Sequence, residues 1–307
     1  MKVKENVPLA PLTTFEIGGP ARYLVDVRSE DEIREALQWA KEKGARAIVL
    51  GSGSNVLVPD DGLEALVIRL RGDLYAAKDG LVDSWAGTNL LAAIRALGAQ
   101  GWGGWEKLAG IPGTIGGAVR GNAGAFGPEI KDFVTSVRAL NAETAEVRDF
   151  ANPACDFSYR HSFFKDHPEW IITRVVFKLE KQRLDISSRL IEETIAEREK
   201  RHLQNVRAAG SFFMNPKAPA EIVAMFEKEK GIKSREGRVP AGWLIEKAGM
   251  KGATVGGAIA SLQHPNYIVN QGNATAHDVL NLAQTVKSQV EADFGVELHE
   301  EAAILSL

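Results

Sequence analysis

Sulfur chemistry is nearly absent from this chain: one cysteine, Cys155, stands in 307 residues. That excludes an internal disulfide and any cysteine-cluster metal site, and no metal is expected. An excess of one charge is lacking too. The 37 basic residues face 40 acidic ones, for a net charge of −3, which gives no electrostatic footprint for nucleic acid or an anionic membrane surface. No apolar run approaches the ~20 residues that span a bilayer. Met-Lys-Val-Lys-Glu-Asn at the N-terminus has no apolar stretch behind its charges, so no secretory leader is expected. These absences point to a soluble, cytoplasmic protein. What is present is 45% hydrophobic and 25% charged, which excludes wholesale disorder. The length suggests about two domains. Glycine, 30 of 307, exceeds the usual ~7% and is concentrated in a few segments.

The spacing predicts strands and helices mixed along the whole length, hence an α+β fold with one large and one smaller domain. Ser29 and Glu32 form a capping box for a helix to Lys43, with Ile33, Ala36, Leu37 and Ala40 on one apolar face and Gly44 as its stop. A buried strand at 46–50 leads into a glycine loop and a strand at 65–70. A strand at 81–86 precedes a helix capped by Thr88 and stopped by Gly98. Ten glycines fall within Gly101–Gly127, too dense for one regular element. Strands return at 134–140 and 171–179, and a charged helix over 186–203 leads into the second domain. Helices follow at 220–230, around 243–248, and after Thr275 with Asp278 as cap. That last helix turns Val279, Leu282, Ala283, Val286 and Val290 inward. Strands are expected at 267–269 and 297–305.

Five clusters could carry chemistry. In Leu50–Leu57, LGSGSNVL, the residues Gly51, Ser52, Gly53, Ser54 and Asn55 offer backbone N–H groups and polar side chains suited to a pyrophosphate. The loop has neither the Gly-Lys-Ser/Thr of a Walker loop nor the third glycine of a Rossmann fingerprint, and an ordinary tight loop is the alternative. Gly110–Gly127, GIPGTIGGAVRGNAGAFG, lets backbone run flat against a ring or a diphosphate, with Arg120 its single positive charge. Its alternative is a glycine-packed helix start in a crowded core. In Phe157–Lys165, FSYRHSFFK, Arg160 beside Tyr159 could fork onto a carboxylate, or merely form a surface ion pair. His161 has no metal-spaced partner and reads as structural or exposed. Ser211, between a glycine and two phenylalanines, could donate a proton in an apolar pocket. With no G-x-S-x-G elbow it does not read as a hydrolase nucleophile. In Glu300–Glu301, strand alternation allows at most one carboxylate into a site.

In order, these segments resemble the UDP-N-acetylenolpyruvoylglucosamine reductase family. The resemblance is carried by TTFEIGGPA from Thr13, LGSGSNVL, LAGIPGTIGGAVRGNAGAFG from Leu108, FSYRHSFFK, GSFFMNP from Gly210, AGWLIEKAGMKGATVGG from Ala241, HPNYIVN from His264 and FGVELHEE from Phe294. It implies a two-lobed FAD-binding domain of the vanillyl-alcohol-oxidase type, residues 1–66 and 67–203, and a substrate-binding domain, 204–307. The short spacing between Lys165 and Ser211 looks like the subclass without an extra tyrosine-bearing loop. Residues 51–55 together with Gly110, Ile111, Pro112, Gly113, Thr114, Gly116, Gly117, Ala118, Asn122 and Gly124 would hold FAD. No histidine lies in Gly51–Asn55, so the flavin would be non-covalent.

By the same resemblance NADPH is the co-substrate. Arg160 holds the substrate carboxylate, Glu301 is a second donor, Ser211 gives a proton to the α-carbon, and Tyr159 and Asn215 contact the sugar nucleotide. No obligate protein partner is implied. Three positions depart from the family pattern. Met214 stands where lysine is usual, Ala303 where arginine is common, and the segment before Ser211 lacks the usual proline. They leave room for altered activity. Another FAD oxidase or dehydrogenase of this fold, acting on an alcohol or hydroxy acid, is the competing enzyme; a binding module that has kept the nucleotide cradle is the non-enzymatic one.

Overall fold

A computed structural model describes residues 1–201 and 206–306. Strands and helices are mixed throughout, so the fold is α+β as expected. The chain packs as two compact units. Met1–Val7, Ala21–Gly53 and Glu64–Arg201 form the first; Pro8–Pro20, Ser54–Leu63 and the residues after Arg201 form the second. Residues 8–20 and 54–63, which a contiguous division places in a first FAD lobe, thus cluster with the C-terminal residues.

In the first unit one sheet runs in the order Lys4–Pro8, Pro20–Val27, Leu63–Leu70, Arg46–Leu50, the last two parallel with Ile48 opposite Val67. Helix Glu30–Glu42 precedes Arg46–Leu50 and buries Ile33, Ala36 and Ala40, an i, i+3, i+7 stripe. Ser29 caps it, its Oγ accepting the Glu32 N–H at 3.2 Å. The Glu32 carboxylate accepts from the N–H of Arg28 rather than of Ser29, so the expected box closes one residue early.

The second sheet is antiparallel, in the order Val147–Ala151, Val134–Asn141, Trp170–Lys178, Leu81–Trp85, Tyr75–Lys78. Both edge strands escape sequence reading because neither Tyr-Ala-Ala-Lys nor Val-Arg-Asp-Phe-Ala carries an apolar run, and pairing alone makes them strands. Val25, Leu66 and Ile68 of the first sheet share one apolar core with Trp85, Val137, Val175 and Phe177 of the second. Helix Leu90–Gly98 adds Leu90, Ile94 and Leu97 to it. Its cap is Asn89, which accepts from Ala92 N–H at 2.9 Å, and not Thr88. The Thr88 hydroxyl is buried and donates to the Leu74 carbonyl at 3.1 Å. The glycine-rich stretch breaks into strand Trp102–Gly103, a 3₁₀ turn Glu106–Leu108 and helix Ile115–Arg120. Helix Leu184–Arg201 follows, and residues 202 and 203 of the expected helix lie outside the described residues.

The second unit packs around Phe15, Ile17, Leu57, Phe212, Phe213 and Trp243. Helix Ala276–Phe294 buries the five expected residues and carries the Thr275–Asp278 capping box. Asp60 also caps it, accepting from the N–H groups of Ala276 (2.7 Å) and His277 (3.1 Å). Helix Ala220–Lys230 is as expected. Helix Ala241–Lys247 starts earlier than expected because Asn215 Oδ1 accepts the Ala241 N–H at 3.0 Å. The expected strand at 297–305 reduces to Ala303–Ile304, parallel to Val56–Leu57. Residues 296–302 belong to no strand, although Val296, Leu298 and Ala302 are buried, and they meet only an isolated bridge from Glu300 to Phe213. Gly62, at φ +82°, turns where any Cβ would run into the Pro20 carbonyl, which accounts for one closely packed part of the Thr13–Ala21 motif.

Candidate active site

In the first unit the two glycine motifs meet. A Cβ on Gly51 would lie 3.1 Å from Thr114 Oγ1. The backbone N–H groups of Gly51, Gly53, Gly113 and Thr114 donate to no protein group among the described residues. Around them Pro112 and Gly117 are exposed, while Gly110, Ile111 and Gly116 are half-buried. Undirected N–H groups on a surface with little side-chain bulk are the donor set an anionic diphosphate requires, so FAD fits these residues.

The donor row is shorter than expected. Ile115 N–H donates to Thr88 O (2.9 Å), Gly116 N–H to Ala86 O (2.8 Å) and Gly117 N–H to Thr114 Oγ1 (3.3 Å). Gly116 is glycine for packing, since a Cβ there would sit 2.9 Å from Ala86 Cβ. Ala118 likewise faces the core. Replacing Gly51 by valine pushes branched methyls into Thr114 and the open donors. We expect FAD affinity to fall about 10-fold or more, a loss of ~1.4 kcal/mol; titration of apoprotein followed by flavin fluorescence checks it, and an unchanged affinity overturns this placement.

Asn122 departs most from its expected part. It is 0% exposed. Its Nδ2 donates to Ser158 O (2.8 Å) and Glu129 Oε2 (3.0 Å), and its Oδ1 accepts from Lys131 N–H (3.3 Å). It touches nothing outside the protein, and instead ties the loop after Arg120 to the turn that carries Arg160. In that turn Ser158 and His161 exchange backbone hydrogen bonds of 3.2 and 3.1 Å, which leaves Tyr159 and Arg160 at the tip. Arg160 is left-handed, φ +57°, a conformation non-glycine residues adopt at a cost of ~1–2 kcal/mol. Its Nη2 donates to Gly124 O at 3.2 Å, its guanidinium lies 5.1 Å from the Tyr159 ring centroid, and Lys165 Nζ donates to its carbonyl at 3.2 Å. Gly124 thus serves Arg160, and a Cβ there would lie 2.8 Å from Glu129 Cγ. Burial pushes the Arg120 guanidinium below its ordinary range, with Asp166 opposing. His161 Nε2 pairs with Asp166 at 2.9 Å.

The second unit places Ser211, Asn215 and Glu301. Ser211 is half-buried, and its hydroxyl makes no hydrogen bond to protein among the described residues. The next two residues, Phe212 and Phe213, are each 1% exposed. Glu301 N–H donates to Phe212 O at 2.8 Å, Met214 N–H to His299 O at 2.9 Å, and Phe213 bridges to Glu300. The segments that carry Ser211 and Glu301 are therefore neighbours, joined by backbone hydrogen bonds. The Glu300 carboxylate accepts from Lys287 Nζ at 3.0 Å. Asn55 donates its side-chain amide to the Glu301 carbonyl (3.1 Å), so it also locates Glu301. Asn215 is fixed by Ala241 N–H and accepts at its carbonyl from Arg238 Nη1 (2.9 Å). At two of the three departures, Met214 is half-buried and Ala303 N–H pairs with Asn55 O at 3.0 Å.

Sequence reading gave no part to Asn266. It is 3% exposed and holds the Phe212–Phe213 segment from the side opposite Glu301. Asparagines whose partners are backbone leave no complementary side chain to find. Cys155 is buried, and burial pushes its thiol up to about 12, which removes it from nucleophilic chemistry near neutrality.

Comparison with known proteins bears on both units. The FAD binding domain profile matches residues 21–150, and the profile of the UDP-N-acetylenolpyruvoylglucosamine reductase C-terminal domain matches 201–305. UDP-N-acetylenolpyruvoylglucosamine reductase of Solibacter usitatus is 34% identical over 98% of this chain and 96% of its own. That of Parasynechococcus marenigrum is 36% identical over 98% and 95%. The crystal structure of the reductase from Thermus caldophilus superposes with a TM-score of 0.79 at 32% identity, over the whole of both chains.

Proposed function

Since the chain belongs to the UDP-N-acetylenolpyruvoylglucosamine reductase family, we propose that Arg160, Ser211 and Glu301 carry out its reaction with NADPH as the reductant. The protein is an FAD-containing oxidoreductase that reduces the enolpyruvyl ether of a soluble sugar nucleotide, a step of peptidoglycan precursor synthesis. When bound, FAD would supply the hydride for the terminal vinyl carbon. Hydride addition there leaves negative charge on the α-carbon and the attached carboxylate, and the protein must stabilise that charge and then quench it.

Arg160 binds the carboxylate. Its planar fork matches two oxygens, and the turn tied down by Asn122 and Lys165 keeps that fork from rearranging as charge builds. Glu301, in its protonated form, donates a second hydrogen bond to the same charge. Ser211 donates its hydroxyl proton to the α-carbon, completing the C–H bond, and regains a proton from solvent. Asn215 and Tyr159 hold the sugar nucleotide, and the open N–H groups of Gly51, Gly53, Gly113 and Thr114 hold the flavin diphosphate. Asn122 and Gly116 act behind that surface. On this reading the enzyme works in the cytoplasm without an obligate protein partner; among the described residues no helix is long and apolar enough to cross a membrane.

The observation that carries the reading is the Ser211 hydroxyl, unengaged by protein among the described residues, one residue from the Phe212 carbonyl that accepts the Glu301 N–H. Anaerobic spectroscopy tests it. The purified yellow protein is expected to bleach with NADPH and to recolour when the enolpyruvyl sugar nucleotide is added. Recolouring in air alone, with none from the sugar nucleotide under anaerobic conditions, would identify an oxidase and overturn the reading.

A further inference from the structure

We infer that Asn266 is the positioning residue for both proton-bearing groups of the second unit, acting through the Phe212–Phe213 dipeptide; the inference rests on the roles proposed above for Ser211 and Glu301. Asn266 makes three hydrogen bonds to that dipeptide. Its carbonyl accepts from Phe212 N–H at 2.7 Å, its Oδ1 accepts from Phe213 N–H at 3.0 Å, and its Nδ2 donates to Phe213 O at 2.8 Å. The side-chain amide thereby takes the place of a peptide group in a neighbouring strand, pairing with both the donor and the acceptor of one residue. On the opposite edge Phe212 O takes the Glu301 N–H at 2.8 Å. The dipeptide is thus hydrogen-bonded on one edge to Asn266 and on the other to the Glu300–Glu301 segment.

The chemistry of the side chain explains why asparagine stands there. Pairing with Phe213 needs one acceptor and one donor at amide spacing. An ionised aspartate lacks the donor, glutamine puts the amide one methylene too far, and leucine has neither group. Asn266 is itself anchored by a turn: Tyr267 N–H donates to His264 O at 2.8 Å, and Ser261 Oγ accepts from the N–H groups of Gln263 (3.1 Å) and His264 (3.2 Å). Phe212 and Phe213 are fully packed, so the clamp holds a rigid segment that leads directly to Ser211 and, across its other hydrogen-bonded edge, to Glu301. A displacement of ~1 Å in such a group can cost about 100-fold in rate.

The test separates two steps in the FAD-loaded enzyme by stopped-flow spectroscopy. In Asn266→Ala we expect flavin reduction by NADPH at the wild-type rate, and reoxidation by the enolpyruvyl sugar nucleotide slowed about 10- to 100-fold. Asn266→Asp, which fits the same space, is expected to slow reoxidation at least about tenfold because its carboxylate cannot donate to Phe213 O. Amide hydrogen exchange should rise in both variants in the peptides holding Phe213 and Glu301, independently of turnover. Ser211→Ala is run alongside. If it is slow while both Asn266 variants reoxidise normally, the inference falls and the proposed roles stand. If Ser211→Ala is itself normal, those roles fall and the inference with them. Equal loss of both steps together with loss of FAD means Asn266 only supports the fold, which also overturns it. Should the alanine variant not fold, the aspartate variant decides by the same criteria.

Discussion

Ser211→Ala is expected to slow reoxidation of the reduced enzyme by its sugar nucleotide about 10²–10⁴-fold, the usual contribution of a positioned general acid. The serine is suited to this because its hydroxyl has no protein partner among the described residues while its neighbours, Phe212 and Phe213, are packed rigid. Ligand and substrate can therefore set the direction of that one proton without breaking an internal bond. Ser211→Cys keeps a proton at nearly the same place and should recover part of the rate. The hydride-accepting carbon is untouched by either change. In deuterated solvent the variant should incorporate label at the α-carbon more slowly, in step with its rate. A Ser211→Ala enzyme within about threefold of wild type would remove serine as the donor.

Arg160→Ala should lower kcat/KM by about 10²–10³, as loss of one preorganised donor to a developing anion does. Both KM and kcat are expected to suffer, since the carboxylate is present in the substrate and gains charge during reaction. Arg160→Lys keeps the cation but loses the fork, and it also gives up the planar geometry by which Nη2 reaches Gly124 O. We expect it between alanine and wild type. Branched residues make poor probes, because position 160 sits at φ +57° and they would add backbone strain to the loss of charge. Steady-state kinetics across a substrate series decides the matter. An alanine variant with wild-type kcat/KM would sink the carboxylate-binding role.

What was legible in the sequence follows from range. Helix Ala276–Phe294, with its capping box and five inward residues, depends on neighbours three and four apart, and it could be read residue by residue. The edge strands Tyr75–Lys78 and Val147–Ala151 become strands through partners distant in sequence, and nothing local announces them. Glycines were ambiguous for a different reason. Gly113 leaves an open N–H beside the Gly51 loop, whereas Gly116 admits the Ala86 segment, and both occur in one motif with one spacing. Asn122 illustrates the same limit. Its place in a glycine-rich motif suggested ligand contact, but its partners are a backbone carbonyl, a backbone N–H and one carboxylate. The roles of Arg160, Ser211 and Glu301 came from resemblance over the whole chain, since each alone also allows a structural reading.

The chain passes between its two units at 7/8, 20/21, 53/54, 63/64 and 201/202. The C-terminal third is consequently no detachable module. Excised, it would leave behind Phe15, Ile17 and Leu57 from its own core and the Asp60 carboxylate that seats its longest helix. Grafting the C-terminal residues alone onto another scaffold would therefore give a unit with gaps in its core and an uncapped helix.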